Sequence, residues 1–281
     1  MTFVHRRPAP PLDAFVDSVW FCRNRRQALA LERVLPTGGP QLIVNLAEDR
    51  TRLYEVSASG VRCSTSPGSV LTGITTRAQI IDTAEQEYVV GIAFQPGGTL
   101  PFFAVPAVEL SDVDTPLATL WGQGAERRMR ERLLEAATPE KALDVLEACL
   151  LGVWRDRMIH PGVAFALQAF RSEPDRARIA GVSDAVGLSP KRFIERFKSE
   201  AGVTPKRFRR LLRFQRAIGR AHTARSIDWT ELALGCGYFD QAHFIHEFRQ
   251  FSGITPGAYR KGMTPFENHV IFLQSNERAV A

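Results

Sequence analysis

Cysteine and histidine are scarce in this chain of 281 residues, and neither has the spacing that a metal site requires. The cysteines lie far apart and no two have CxxC spacing, so a zinc finger, an iron–sulfur cluster and a CxxC redox site are unsupported. Residues 1–155 contain one histidine, His5, which is too few for a metal-dependent enzyme or for a Ser–His or Cys–His nucleophile. We therefore expect no catalytic residue, no metal and no cofactor. Free thiols are expected at Cys22, Cys63, Cys149 and Cys236.

Long apolar runs and phosphate-binding glycine motifs are also missing. No apolar run is long enough to cross a membrane as a helix, and the first residues, MTFVHRRPAPPL, lack the apolar core of a signal peptide. We expect a cytoplasmic protein with no membrane partner. The pairs Gly38-Gly39 and Gly97-Gly98 match neither GxxxxGKS/T nor GxGxxG, and we interpret them as turns.

Net charge is unevenly distributed along the chain. Hydrophobic residues make up 44% and charged residues 23%, as in an ordinary globular protein, and the formal net charge is +6. Residues 1–155 hold 16 Lys+Arg and 18 Asp+Glu, a net charge of −2, whereas residues 156–281 hold 20 and 12, a net charge of +8. The segment 204–220 has seven basic residues and no acidic one. This asymmetry predicts a basic C-terminal domain suited to an anionic partner such as nucleic acid.

The N-terminal part has several short β-rich runs separated by turn signals. Their close spacing favours a sandwich or barrel over alternating βαβ units, and we predict a small β-barrel. The runs at 42–46 and 89–94 are apolar throughout, which favours central strands. Leu12, Phe15, Val16 and Val19 follow i, i+3, i+4, i+7 spacing and predict an amphipathic helix near the N-terminus. The predicted strands are ERVL, QLIVNL, RLYEV, SVLTG, AQIID and YVVGIAF.

A helical pattern begins after Pro116. The segments 125–137 and 139–154 predict a helical hairpin, in which Pro139 fits the first turn of the second helix. That helix carries an apolar stripe, for which an intramolecular core is the simpler interpretation and a dimer interface the alternative. The stripe consists of Ala142, Leu143, Leu146, Leu150 and Val153.

The C-terminal part contains an internal repeat with an offset of 51 residues. FIERFKSEAGVTPKRF (193–208) aligns with FIHEFRQFSGITPGAY (244–259), so that two phenylalanines, a glycine and a Thr-Pro pair coincide. Phenylalanines spaced i, i+4 predict one buried face on each helix. Gly202 and Gly253 suit the left-handed residue that ends a helix.

Each copy has the pattern of a helix-turn-helix unit. A shorter predicted helix, at 182–187 and again at 228–236, precedes each phenylalanine-bearing helix, for which Ser189 and Asp240 are suitable N-caps. A basic amphipathic helix at 205–221 joins the units and is about 25 Å long. Because successive major-groove faces of a duplex are about 34 Å apart, the units are predicted to enter adjacent major grooves.

The repeat resembles the DNA-binding domain of the AraC/XylS family of bacterial transcription regulators. The likeness covers about 160–262 and lies in GLSPKRFIERFKSEAGVTPKRF and WTELALGCGYFDQAHFIHEFRQFSGITPGAYRK. PLDAFVDSVW, RVLPTGG, LIVNL, GIAFQPGG and the helical hairpin resemble the region ahead of that domain in some members. Together they imply a cupin-like barrel that senses or dimerises, followed by an all-α domain on double-stranded promoter DNA. RNA polymerase, an unidentified small-molecule effector and a second copy of the chain are the further partners implied.

The resemblance also implies which side chains of the first unit contact bases. Lys191, Ile194 and Glu195 match base-contacting positions, although family members often carry Arg or Gln in place of Ile194 and Glu195. Ile194 suits a thymine methyl group and Glu195 suits the cytosine amino group. Glu195 could equally form a surface ion pair with Lys191 or Arg192.

In the second unit the matching residues are Gln241, Ala242 and His246. Gln241 suits adenine, and His246 suits guanine or a phosphate. Ile245 fits either this surface or the core. Because His243 and His246 are spaced i, i+3 with Cys236 nearby in sequence, a zinc site is an alternative.

Phosphate contacts are assigned to basic residues around the two units, which supply affinity and salt dependence but little sequence information. For any one of them the alternative is a solvated helix face. They are Arg192, Lys198, Arg207, Arg209, Arg210, Arg213 and Arg249, with Arg216 as a further candidate.

The sequence thus predicts an α+β, one-component transcription regulator that responds to an effector and is not an enzyme. We expect a sensor or dimerisation domain at 1–155 with its hairpin at 116–155, a tandem helix-turn-helix domain at 156–262, and a tail at 263–281. In the tail, HVIFLQ (269–274) either adds a strand to the N-terminal domain or stays mobile. One alternative is a barrel enzyme or ligand-binding protein with an attached nucleic-acid-binding module. The other is a protein–protein module in which Glu195 prevents the first unit from binding DNA.

Overall fold

A β-rich N-terminal half is followed by a helical C-terminal half, which gives a mixed α+β architecture. The computed structural model describes residues 1–24, 31–57, 60–172 and 179–272. The strands are β1 (Thr2–Arg6), β2 (Val16–Arg23), β3 (Leu31–Val34), β4 (Gln41–Asn45), β5 (Arg50–Ser57), β6 (Gly60–Pro67), β7 (Ser69–Thr72), β8 (Gln79–Asp82), β9 (Tyr88–Phe94), β10 (Asp114–Pro116) and β11 (His269–Ile271). The helices are α1 (Leu117–Trp121), α2 (Gln123–Leu134), α3 (Pro139–Gly152), α4 (Pro161–Ser172), α5 (Ile179–Ala185), α6 (Pro190–Ala201), α7 (Pro205–Thr223), α8 (Trp229–Gly235), α9 (Gln241–Ser252) and α10 (Pro256–Gly262).

The central strands of the first sheet are covered on both faces. Its order is β1-β2-β9-β4-β7-β10, so β4 and β9 lie in the middle, as predicted from their apolar runs. Leu42 and Val44 pack into the core beneath the hairpin, whereas Gln41 and Ile43 line a cavity on the other face. Because alternate side chains point to opposite faces, a strand covered on both sides needs apolar residues at nearly every position.

The predicted closed barrel is not formed by the described residues. The second sheet has the order β11-β3-β8-β5-β6, and it shares no strand with the first. Its edge strand β6 is exposed along almost its whole length and ends at Pro67. A strand with both faces in solvent buries too little apolar surface to close a barrel, and proline cannot donate to a strand ladder.

The predicted N-terminal helix is wrong. Leu12–Ala14 forms a single 3-10 turn, and β2 begins at Val16 and pairs with β1 and β9. A β-bulge between Val16 and Ser18 shifts the alternation, so Val16 and Val19 are both fully buried although they lie three residues apart. The bulge thereby imitates the spacing of a helix.

The predicted helical hairpin is formed by α2 and α3. Ala142, Leu143, Leu146 and Leu150 are completely buried, and α3 packs on β2 and β9. The apolar stripe is therefore intramolecular core. At its start, the Thr138 side chain accepts a hydrogen bond from a first-turn backbone N–H.

The predicted C-terminal helices are confirmed, with one addition. α5, α6, α8 and α9 form the two helix-turn-helix pairs, and α7 is the helix between them. The additional helix, α4, was not predicted, although Val163, Ala166, Leu167 and Phe170 have helical spacing and are buried. The Phe170 ring packs on Phe197 with a centroid distance of 5.9 Å.

The tail returns to the N-terminal half. β11 pairs antiparallel with β3, with Val270 opposite Arg33. The strand predicted as one alternative for 269–274 is therefore formed, and its last two residues lie outside the described residues. In the part of the chain that the structure describes, no helix has the length and apolarity to cross a membrane.

Candidate nucleic-acid interface

α6 is anchored by a buried phenylalanine face. The Ser189 side chain accepts a hydrogen bond from a first-turn backbone N–H, and Gly202 ends the helix with φ of +90°. Phe193 and Phe197 are fully buried, and the Phe197 ring lies 5.7 Å from that of Phe208 on α7. The predicted N-cap, left-handed glycine and buried face are confirmed, and they fix which side of α6 meets solvent.

The exposed side of α6 carries the residues predicted for the first unit. Lys191, Ile194, Glu195 and Lys198 are spaced i, i+3, i+4 and i+7, so they share one face, and all are exposed. Ile194 leaves 38% of its surface in solvent, so its side chain is accessible on this face. Arg192 flanks this face and is also exposed. Contact of these side chains with bases or phosphates remains a prediction.

α9 is anchored in the same way. Asp240 accepts a hydrogen bond of 2.7 Å from the backbone N–H of His243, and Gly253 ends the helix with φ of +73°. Phe244 and Phe248 are fully buried. The second unit therefore repeats the cap, core face and helix stop of the first.

The exposed side of α9 carries Gln241, Ala242, His246 and Arg249. The Gln241 side-chain oxygen accepts a hydrogen bond of 3.3 Å from the Thr230 hydroxyl on α8. The His246 Nε2 lies 2.8 Å from the Gln250 side-chain nitrogen. Ile245 is half-buried and packs on the core, which favours its core interpretation. Two polar side chains are thus held by neighbours of their own unit while they remain accessible.

The zinc alternative finds no support. In the described residues no group of three His, Cys, Asp or Glu side chains could hold a metal ion. Cys236 is buried with its Sγ 3.9 Å from a guanidinium nitrogen of Arg220, whereas His246 is exposed beside Gln250.

Two of the arginines predicted to contact phosphate hold a buried carboxylate. Glu247 on α9 is 2% exposed and lies 2.7 Å from Arg210 and 3.1 Å from Arg213, both on α7. The Arg213 guanidinium also covers the Tyr238 ring at 4.9 Å. Burial first, and then the Glu247 charge, raise the pKa of the Tyr238 phenol. Arg210 and Arg213 therefore have a role inside the protein, and their phosphate contacts remain predictions.

The other predicted phosphate contacts fall into two groups. Arg207 donates a hydrogen bond of 3.5 Å to the Thr76 carbonyl in the N-terminal half, and Arg209 lies 5.9 Å from the Phe170 ring. Arg216 is half-buried. Arg192, Lys198 and Arg249 are exposed on or beside the recognition faces of α6 and α9, which makes them the best placed to reach a phosphate.

Sequence reasoning missed two exposed apolar side chains of the second unit. Phe239 leaves 86% of its surface in solvent, one residue before the N-cap of α9, and Leu234 on α8 leaves 57%. An exposed phenylalanine at the start of a recognition helix can contact thymine methyl groups. The sequence gives one indication that Phe239 is exposed. It lies between Tyr238, which is buried, and Asp240, which caps α9.

Both recognition helices end against the N-terminal half. The Ser111 hydroxyl donates a hydrogen bond of 2.6 Å to the carbonyl of Gly202, at the end of α6. Arg33 on β3 donates a hydrogen bond of 3.3 Å to the carbonyl of Ser252, at the end of α9. A cation is favourable there because the last carbonyls of a helix carry partial negative charge. The N-terminal half thus contacts each unit at the C-terminal end of its second helix.

The chain has relatives among bacterial helix-turn-helix regulators. A family profile described as a helix-turn-helix domain matches residues 182–262, and one described as a domain of unknown function matches residues 4–116. The chain is 29% identical over 131 residues to the HTH-type transcriptional regulator MtrA of Neisseria gonorrhoeae, which covers 46% of this chain and 42% of that protein. It is 25% identical over 166 residues to an uncharacterized HTH-type transcriptional regulator of Haemophilus influenzae, with 54% of each covered.

The chain therefore spans about half the length of the curated relatives that it matches. Among solved structures, ToxT from Vibrio cholerae is similar with a TM-score of 0.47 and 11% identity, over 93% of this chain and 98% of that chain.

Proposed function

Because the chain belongs to the AraC/XylS family of helix-turn-helix regulators, we propose that it regulates transcription by binding promoter DNA with both of its helix-turn-helix units. One observation carries the proposal. Two helices 51 residues apart have the same cap, the same buried phenylalanine face and the same left-handed glycine, and each presents polar side chains on its outer face. α7, with 19 residues, joins the units over about 28 Å, which suits helices in adjacent major grooves.

The outer faces divide into groups that select bases and groups that bind phosphates. Gln241 and His246 have the donors and acceptors that base edges require, and Ile194 suits a thymine methyl group. Lys198 and Arg249 occupy equivalent positions in the repeat, and their charges suit the phosphates beside each groove. Glu195 stands where His246 stands in the second unit, so the two units are expected to select different bases.

The test is binding of the full chain to a duplex selected from genomic DNA, measured by fluorescence anisotropy at several salt concentrations. We expect Gln241→Ala to weaken the selected duplex about 10- to 100-fold while leaving a scrambled duplex unchanged, because one bidentate base contact is lost. Gln123→Ala is the matched control, since Gln123 is also an exposed glutamine at the first position of a helix, α2, far along the chain. Equal affinity for the two duplexes in the wild-type chain would overturn the proposal.

The N-terminal half is proposed as the sensor, with boundaries at 1–155, 156–262 and 263–281 for sensor, DNA-binding domain and tail. Its two facing sheets are the basis for a cupin-like assignment, and between them lies a cavity of about 370 Å³ that suits a small-molecule effector. RNA polymerase and a second copy of the chain are proposed as further partners. Such a regulator acts on the chromosome, so we propose the cytoplasm as its location.

An enzyme in the N-terminal half is the alternative, because titratable side chains line this cavity. Cys22 is one of them, but burial raises the pKa of its thiol, which keeps the sulfur protonated and a weak nucleophile. We assign the lining carboxyl groups to binding, and we therefore propose that the chain is not an enzyme. Chemical conversion of a bound molecule by the full chain, seen by mass spectrometry, would favour the enzyme.

A further inference from the structure

The cavity between the sheets is closed on one side by the tail. Trp20, Ile43 and Val70 line it from the first sheet, and Leu53 and Ile81 line it from the second. Residues 266–269, which follow the end of α10 after three residues, form a further wall. The Tyr259 hydroxyl on α10 donates a hydrogen bond of 3.0 Å to the backbone carbonyl of Glu267. An occupant of the cavity would therefore touch a segment that is joined to the second helix-turn-helix unit.

Aromatic rings make up part of the lining. The Trp20 ring lies over Gly91, where a Cβ would come within 2.3 Å of it, so the glycine leaves room for the indole. Phe3 and Phe266 meet edge to face with a centroid distance of 5.4 Å. The faces of such rings attract cations, most strongly in the case of tryptophan.

The charged groups of the lining are mainly acidic. The Glu85 side chain is 11% exposed, and its Oε1 is buried with no hydrogen-bond partner in the described structure. Asp114 accepts hydrogen bonds of 2.8 Å from Thr72 and 3.2 Å from Gln79. A buried carboxylate oxygen without a donor is costly, so a ligand that supplies a donor there gains affinity.

The nearest cation already has two acidic partners. Arg52 lies 3.6 Å from Glu85 and 2.5 Å from Glu48, and Glu48 also lies 3.2 Å from Arg50. The other basic group of the wall, His269, lies 2.9 Å from Glu32. Burial above all, and the charges of Asp82 and Glu48, raise the pKa of Glu85 to about 8 against the opposing effect of Arg52. A bound cation would supply the positive charge that favours the ionised form of this carboxyl group.

We propose that the effector of this cavity is a small organic cation, an amine or quaternary ammonium with an apolar body, whose charge pairs with Glu85 and whose body packs on Trp20 and Phe266. This assignment rests on the proposed function, because it names the effector of the proposed sensor. An anionic effector is disfavoured, since it would have to enter beside Glu85 and Asp114 with Arg52 already paired.

The proposal is tested by calorimetric titration of the full chain with three probes that share one skeleton: phenylbutylamine, phenylbutanol and phenylbutanoate. We expect the amine to bind about tenfold more tightly than the alcohol and the carboxylate to bind most weakly. This comparison uses the wild-type chain, so it does not depend on the folding of any variant. A carboxylate that binds as tightly as the amine, or an alcohol equal to it, would overturn the proposal.

Variants of Glu85 test whether this residue is the one that pairs with the cationic probe. Glu85→Gln keeps the shape and removes the charge, and we expect it to abolish the preference for the amine over the alcohol. Glu55→Gln is the matched control, because Glu55 lies on the neighbouring strand β5 with its side chain 68% exposed. An undiminished preference in Glu85→Gln would show that Glu85 does not bind the cation.

Duplex binding, measured in parallel without any probe, separates the two proposals. Selective duplex binding with no preference for the amine overturns the effector class alone. An amine preference that depends on Glu85, in a chain without duplex selectivity, supports the binding site and overturns the regulator.

Discussion

The Glu247 carboxylate on α9 lies 2.7 Å from the Arg210 guanidinium on α7, and this buried pair ties the second recognition helix to the helix between the units. Arg213 joins the same carboxylate at 3.1 Å. A buried acid between two arginines is favourable only while its partners remain. The pair therefore sets the position of α9 relative to α7, and through α7 relative to α6.

Removing Glu247 should destabilise the chain. We expect Glu247→Ala to lower the free energy of unfolding by about 3 kcal/mol, because it leaves two partly buried guanidinium groups without their carboxylate. Chemical denaturation measures the effect. Glu231→Ala on the exposed side of α8 is the control and should change the free energy of unfolding by less than about 0.5 kcal/mol. Equal effects of the two substitutions would mean that the ion pair contributes nothing.

Substituting an arginine that stabilises the core should have a different effect from substituting one that contacts phosphate. We expect Arg249→Ala to weaken every duplex alike and to reduce the slope of log affinity against log salt by about one, with stability unchanged. Arg213→Ala should instead lower stability. Lys141→Ala on the hairpin removes an equal charge and is the control, since its side chain is 71% exposed on α3. An unchanged salt slope for Arg249→Ala would remove it from the phosphate contacts.

Substitution of Glu195 distinguishes the two interpretations of this residue, a base contact or a surface ion pair. If its carboxylate accepts from a cytosine amino group, Glu195→Gln should weaken discrimination at one base pair of the operator by about 1–3 kcal/mol. If it is a surface ion-pair partner, the same substitution should strengthen binding to all duplexes slightly, because a negative charge leaves the phosphate side. Binding to a set of duplexes with single base-pair changes distinguishes these results.

Local features of the sequence predicted the helices well. Ser189, Asp240 and the glycines at 202 and 253 act within one turn of chain, so their effect follows from sequence alone. The apolar residues around Val16 have helical spacing because a β-bulge lies between Val16 and Ser18. That bulge arises from pairing with β9, which is distant in sequence, so no local pattern could predict it.

The roles of several charged residues depend on contacts that no local pattern records. Arg210 counts as one of seven basic residues in its segment, but its partner Glu247 lies 37 residues away. The wall of the cavity joins His269 to Glu32 across 237 residues. Glu85 lies in the segment TAEQ after β8, which has no sequence feature that predicts burial. It becomes a buried acid only because the two sheets pack together.

The buried carboxyl group should make stability depend on pH. The pKa of Glu85 is raised from 4.5 to about 8, so the folded chain binds a proton more tightly than the unfolded chain. Stability contributed by this group is therefore lost as pH rises between those values. We expect Glu85→Gln to melt at a higher temperature than the wild type at pH 9 and at about the same temperature at pH 4. Glu55→Gln should show no such trend, and parallel curves for wild type and Glu85→Gln would contradict the burial of this acid.

The tail should be required for the wall of the cavity. Val270 on β11 is 2% exposed and packs against α10 beside Gly262, whereas its neighbour Ile271 is 49% exposed. Val270→Asp buries an unpaired charge in that contact. The free-energy penalty of burying this charge exceeds the stabilisation that the pairing of a three-residue strand provides. We expect faster amide hydrogen exchange in β3 and α10 and weaker binding of phenylbutylamine. Ile271→Asn places a polar side chain one residue away on the solvent side without adding a negative charge opposite Glu32, and it should leave both measurements unchanged. If the two variants show the same rates of amide hydrogen exchange, the contact of Val270 does not hold the tail. The link between the cavity and the second helix-turn-helix unit must then run through another segment. The first candidate is Arg33, which donates a hydrogen bond to the end of α9.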